Sequence, residues 1–138
     1  MNISATVENR RGSHAVSLAA NGREHGLAIA PKSEGLGSSV NGGELLFLAL
    51  ATCYCNDLYR EAKKRNIELD SVRVEVTGEF GAEGEGAKNV SYRASVDGRA
   101  SQEELLNLMR HTDTVAEIQN TLRFSVPVKL AHVEARTI

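Results

Sequence analysis

The sequence contains no tryptophan, only two cysteines and two prolines, and 4% aromatic residues. So few aromatics provide no stacking surface for single-stranded nucleic acid. A basic surplus is missing too: 16 Lys and Arg against 18 Asp and Glu give a net charge of -2. That excludes the electrostatic footprint expected of a nucleic-acid or anionic-membrane partner. The longest apolar run covers residues 45–55, far short of the roughly 20 residues that span a bilayer. The start, Met1-Asn2-Ile3-Ser4-Ala5-Thr6-Val7, has no basic segment followed by an apolar one, so no secretory signal is visible. The expectation is a cytoplasmic protein with its thiols reduced at rest. His14, His25, His111 and His132 are scattered, and no Cys or His pair stands at zinc spacing. Neither a metal nor a cofactor is expected. At 138 residues, the chain suits a single domain, residues 1–138, that buries about two-thirds of its unfolded surface.

What is present is a sequence of hairpins and helices. A short strand is expected near Asn2–Val7. Ser13–Ala20 and Glu24–Ala30 flank Asn21-Gly22, a dipeptide suited to the positive φ angles of a two-residue hairpin turn. Pro31–Gly43, with four glycines and three serines, reads as a loop. From Gly43 to Arg65 there is no proline or interior glycine, and Arg60, Lys63, Lys64 and Arg65 lie at the end, as a helix C-terminus favours. The first half of this helix is apolar on every side, so protein must enclose it. One small sheet covers one side only, which implies a second helix or a second subunit.

Val72, Val74, Val76, Gly78 and Phe80 then alternate with polar residues, and Val90, Tyr92, Ala94 and Val96 repeat the pattern, predicting two strands. Gly81–Ala87 between them is an exposed hairpin loop. Ser101-Gln102-Glu103-Glu104 is a capping box opening a helix to about His111. A further helix is expected over Thr112–Leu122, started by Thr112 or Asp113. Phe124, Val126, Val128 and Leu130 alternate as a last strand, with Pro127 marking an edge or a bulge. The order β-β-β-α-β-β-α-α-β is hairpin-joined and predicts an α+β architecture.

The two cysteines, Cys53 and Cys55, both fall in the apolar helix. Residues i and i+2 project about 200° apart on a helix, so they cannot share a metal or close a disulfide without unwinding it. Free cysteine is among the most buried residue types, and filling is the plain alternative to chemistry. A reactive thiol needs a lowered pKa. Positions 49, 50, 56 and 57 are Ala, Leu, Asn and Asp, so no cation lies one turn from Cys53 on its own helix.

The run Asn41-Gly-Gly-Glu-Leu-Leu-Phe-Leu-Ala-Leu-Ala-Thr-Cys53, followed by Asn120-Thr-Leu and Val126-Pro-Val, resembles the OsmC and organic hydroperoxide resistance (Ohr) family. The resemblance implies an OsmC-like fold in which two long central helices are wrapped by antiparallel sheets in an intertwined homodimer. It further implies a thiol-dependent peroxidase, in which a first cysteine attacks an organic hydroperoxide, a second resolves it, and an Arg with a Glu activates the thiolate. Cys53 matches the first cysteine. Ala116 stands where the second would be, so an external thiol reductant is implied. Arg11 is the choice for the activating Arg, with Arg10 next and two solvated turn arginines as the alternative. Glu44 lies nine positions before Cys53, where the hydroperoxide subgroup has its Glu at ten. It would reach a thiol only across an antiparallel partner helix, and otherwise favours the helix N-terminus. Cys55 is a secondary candidate.

Two functions follow from this reading. One is reduction of hydroperoxides through Cys53. The other is a non-catalytic OsmC-fold protein that binds a small apolar ligand at the dimer interface or senses redox state there.

Overall fold

The computed structural model describes all residues, Met1–Ile138. The chain divides into two compact units, Met1–Leu46 and Phe47–Ile138. The first holds β1 (Ile3–Arg10), β2 (Ser13–Ala20) and β3 (Arg23–Gly26), an antiparallel sheet in the order β1-β2-β3. Asn21 and Gly22 both take positive φ, 51° and 79°, as a type I′ hairpin requires. β3 is shorter than the expected Glu24–Ala30, because the ladder with β2 ends at Ser17–Gly26. A bridge between Pro31 and Ser38 closes the loop that follows.

The long helix α1 spans Gly42–Lys64, within a residue of its expected bounds. Asn41 caps it: the Glu44 N–H donates to Asn41 Oδ1 at 2.8 Å, and the Asn41 N–H donates to Glu44 Oε1 at 3.2 Å. This reciprocal arrangement satisfies two otherwise orphaned donors.

In the second unit, β4 (Leu69–Phe80) and β5 (Ala87–Gly98) form a two-stranded antiparallel sheet. Val72, Val74 and Val76 pair with Val96, Ala94 and Tyr92, so the alternation puts these apolar groups on one face. That face packs on Tyr54, Leu58 and Ala62, which rise along α1 at four-residue intervals, and on Leu108 and Ala116. Tyr54 meets Tyr92 edge-on, with ring centroids 4.9 Å apart, and its hydroxyl donates to the Met109 carbonyl at 2.8 Å. Gly78 is required by close approach, since a Cβ there would come within 2.6 Å of Phe47 Cζ.

α2 runs over Gln102–Val115 and opens with the expected capping box between Ser101 and Glu104. The boundary with α3 (Glu117–Arg123) falls at Ala116, not at Thr112 or Asp113. Thr112 is fully buried, and its hydroxyl donates to the Leu108 carbonyl inside the helix, so it cannot act as a cap. The α+β class is as expected, with α1 as the one long helix of the chain.

The expected last strand is not formed. Ser125 at φ 52° turns the chain out of α3, and residues 126–138 belong to no helix or strand. Val128 and Leu130 are 96% and 85% exposed. An alternating segment becomes a strand only where another edge takes up its hydrogen bonds, and no strand of this chain pairs with it. No helix is long and apolar enough to cross a membrane.

Candidate functional site

Along α1 the residues Cys53, Asp57 and Arg60 stand at i, i+4 and i+7, one stripe of the helix. Leu50 and Tyr54 flank the stripe and are buried, which fixes how the helix is turned. From the other side comes the start of α3. Ala116 is buried and extended, with φ -73° and ψ 112°, and gives α3 no side-chain cap. The Ile118 N–H of this turn lies near the Cys53 sulfur and acts to lower the thiol pKa. Gln119 ties the same turn to α1 by donating to the Leu50 carbonyl at 2.9 Å.

Two carboxylates meet the sulfur. Cys53 Sγ lies 3.5 Å from Asp57 Oδ2 and 3.7 Å from Glu117 Oε2, either of which can accept the thiol hydrogen. The opposite oxygens, Asp57 Oδ1 and Glu117 Oε1, each accept from Arg60 Nη1 at 2.9 Å. Arg60 Nε donates to Glu61 at 2.9 Å, and Glu61 also receives Lys64 at 2.7 Å and meets His111 Nε2 at 3.1 Å. Asp57 and Glu61 are buried, whereas Glu117 is exposed, so solvent reaches the cluster from the α3 side.

The electrostatics follow from this arrangement. Burial pushes the Cys53 thiol up, and the Asp57 and Glu117 charges push it the same way against the opposing Ile118 N–H. Burial also raises Asp57 to about 6, helped by its hydrogen bond with Glu117, while Cys53 and Arg60 pull it down. Glu117 goes the other way, held low first by Asp57 and then by Arg60. Of the two acids, Asp57 is therefore the one that takes up a proton first, as pH falls through about 6. Glu61 is held down at about 2 by Lys64, then by Arg60.

A depressed carboxylate stabilises the folded state above its unfolded pKa of about 4.5 and loses that contribution as pH falls toward its folded value. Glu61→Gln is therefore expected to flatten the loss of stability between about pH 4.5 and pH 2, as measured by thermal denaturation across that window.

Cys53, Asp57 and Glu117 also form a donor set within 4.8 Å of one another. Arg60 donates to both carboxylates of that set.

The other sequence candidates lie elsewhere. Cys55 is free and lines a separate cavity of about 250 Å³ with Ala51, Thr52, Asn56 and Val74, as opposite projection requires. Arg10 ends β1 and pairs with Glu8 at 2.9 Å, both exposed. Arg11 is exposed in the β1–β2 turn, and Glu44 serves the α1 cap. All three belong to the first unit.

The acid pair and Arg60 were not among the sequence candidates. A search for cations one turn from Cys53 stops at Asp57, one turn short of Arg60. A search for a second thiol stops at Ala116, one residue short of Glu117.

A family model described as OsmC-like protein matches residues 35–131. No curated protein matches the chain. Among solved structures, an organic hydroperoxide resistance protein from Elizabethkingia anophelis superposes with a TM-score of 0.59 at 23% identity, covering 89% of each chain. An OsmC-like protein from Mycoplasma pneumoniae gives 0.61 at 17% identity, over 88% of this chain and 86% of that one. The organic hydroperoxide resistance protein OhrB of Bacillus subtilis gives 0.52 at 19%, over 87% and 90%. These likenesses establish the fold.

Proposed function

Because the chain belongs to the OsmC-like protein family, we propose that it is a thiol-dependent redox protein, a single domain that reduces organic hydroperoxides at Cys53 and is regenerated by an external thiol. The observation that carries this reading is the placement of Cys53. It is half-buried on the long helix, near the Ile118 N–H, and in contact with two acids able to exchange its proton. Ala116 leaves no second thiol on α3, so the oxidised sulfur would be reduced from outside, by a dithiol or a low-molecular-weight thiol.

The assembly proposed is a homodimer. Leu48 on α1 is 56% exposed and Phe124 is 76% exposed, and the apolar segment after α3 has no strand to pair with. A second copy would cover these groups and bring its own elements to the site. Arg11, with Arg10 as the other choice, and Glu44 are the residues proposed to act there on the thiolate. Leu48→Glu would place a charge in that interface, and it is expected to shift the protein from dimer to monomer in sedimentation velocity. A variant that remains a dimer would show that Leu48 lies outside the contact. The proposed location is the cytoplasm, with no nucleic-acid or membrane partner.

A second reading has its own observation. The charged groups nearest the Cys53 sulfur are both acids, which keep the thiol protonated. That favours a pocket that binds a small apolar ligand, or a slow redox sensor.

The experiment is consumption of cumene hydroperoxide by the reduced protein with dihydrolipoamide supplied. Turnover that depends on Cys53 supports the peroxidase reading. Absence of turnover with several thiols sinks it and leaves the binding one.

A further inference from the structure

We propose that Asp57 is the proton-transfer residue of Cys53, taking the thiol hydrogen as sulfur attacks and delivering it to the departing oxygen, with Glu117 and Arg60 as positioning residues. This rests on the peroxidase reading and answers its main difficulty, that the sulfur sits beside acids and not beside a cation. A site of this kind does not need a standing thiolate. It needs a base within hydrogen-bond reach that is deprotonated at working pH and can give the proton back.

Asp57 meets those conditions by geometry. One carboxylate oxygen lies 3.5 Å from Sγ, and the other is held by Arg60 Nη1 at 2.9 Å, so its orientation is set by a group that does not titrate. The same Nη1 holds Glu117, which keeps the second acid beside the first. Glu117 is exposed and the thiol half-buried, so a small hydroperoxide has an approach on the α3 side. The titratable and charged groups facing Asp57 are Cys53 and Arg60 from α1 and Glu117 from α3. His111 of α2 meets Glu61 instead.

The step balances as written. Cys53 sulfur attacks the terminal oxygen of R–O–OH. The S–O bond forms and the O–O bond breaks. Sulfur loses two electrons, and the two peroxide oxygens are reduced by them, the O–O pair leaving on the departing alkoxide. The thiol proton passes through the Asp57 carboxylate to the alkoxide, giving Cys53–SOH and ROH. Two equivalents of external thiol then return Cys53–SH with loss of water and formation of a disulfide outside the protein.

Asp57, raised to about 6 by burial and by Glu117, is ionised at neutral pH yet a better proton acceptor than an ordinary carboxylate. The rate of peroxide reduction by wild type should accordingly fall as pH drops through about 6.

The test is single-turnover reduction of cumene hydroperoxide across pH 4.5–9, with sulfenic acid trapped by dimedone, alongside alkylation of Cys53 by iodoacetamide. Asp57→Asn is expected to slow peroxide reduction by roughly a hundredfold or more at pH 7 and to remove the limb near pH 6. It should at the same time speed alkylation, because a negative charge beside the thiol is gone. A merely structural role moves both reactions together. Glu117→Gln, which removes a group that raises Asp57, is expected to shift the limb to lower pH. Equal peroxide rates and the same pH limb in wild type and Asp57→Asn overturn the relay while leaving the peroxidase reading intact. Faster peroxide reduction in Asp57→Asn also overturns it. A wild type that forms no sulfenic acid overturns the peroxidase reading, and the relay with it.

Discussion

Cys53→Ser is expected to lower hydroperoxide turnover by roughly a thousandfold or more, as loss of a nucleophile does, whereas Cys55→Ser should leave it within about twofold. The contrast comes from helix geometry. Two residues apart, the thiols face different surroundings: Cys53 meets Asp57, Glu117 and the Ile118 N–H, and Cys55 lines a cavity with Ala51, Thr52, Asn56 and Val74. No protein acid or cation is among those lining groups. Serine is nearly isosteric with cysteine, and its hydroxyl can donate to Asp57 as the thiol does, so the network with Arg60 should survive. What it lacks is a sulfur able to form a sulfenic acid. The measurement is loss of cumene hydroperoxide under excess dihydrolipoamide, with circular dichroism confirming that both variants fold. Equal loss in the two variants would point to a cycle that uses both thiols, which requires local unwinding of α1. Turnover retained in Cys53→Ser would move the chemistry away from this site altogether.

Most of the fold is readable from local pattern, and the places where reading fails share a cause. Strict parity in Val72–Phe80 and Val90–Val96, the Asn21-Gly22 turn and the Ser101–Glu104 capping box each depend on residues close in sequence, and each appears in the structure. The α2–α3 boundary depends on tertiary burial instead. Thr112 resembles a cap until Leu108 and the core around it claim its hydroxyl. The segment from Val126 onward has the alternation of a strand, yet alternation states only which side chains share a face, not which edge receives the backbone. At the site, the nucleophile candidate was legible from the long apolar helix and its family pattern. Its acid partners were only half so. Asp57 and Arg60 are on the same helical stripe and could be read from spacing, but Glu117 arrives from 64 residues away, and nothing local to it announces that meeting. Arg11 and Glu44 were chosen for a site shared between two copies, and their role remains a proposal for the assembled protein.

Leu58→Ala is expected to destabilise the protein by about 3 to 4 kcal/mol, within the range for a fully buried leucine. Leu58 has no exposed surface and lies between Tyr54 and Ala62 on the same face of α1, against Leu108, Ala116 and the valines of β4. It is the point where the helix, the two-stranded sheet and α2 converge. Leu58, Leu108 and Thr112 are the largest side chains sealed from solvent. Removing three carbons therefore leaves a cavity as well as a lost transfer term. For a domain whose total stability is of order 0.05–0.15 kcal/mol per residue, that is a large share. The check is urea denaturation, where the midpoint should fall with an unchanged slope, at matched protein concentration because the stability of the proposed dimer would depend on it. A loss below about 1 kcal/mol would show that Leu58 packs against groups able to close the gap. Since Leu58 follows Asp57 in sequence and its packing sets the rotation of α1, partial loss of that packing should also misalign the Cys53 stripe. A fall in peroxide reduction at temperatures where Leu58→Ala is still folded would be the functional trace of that link between core and site.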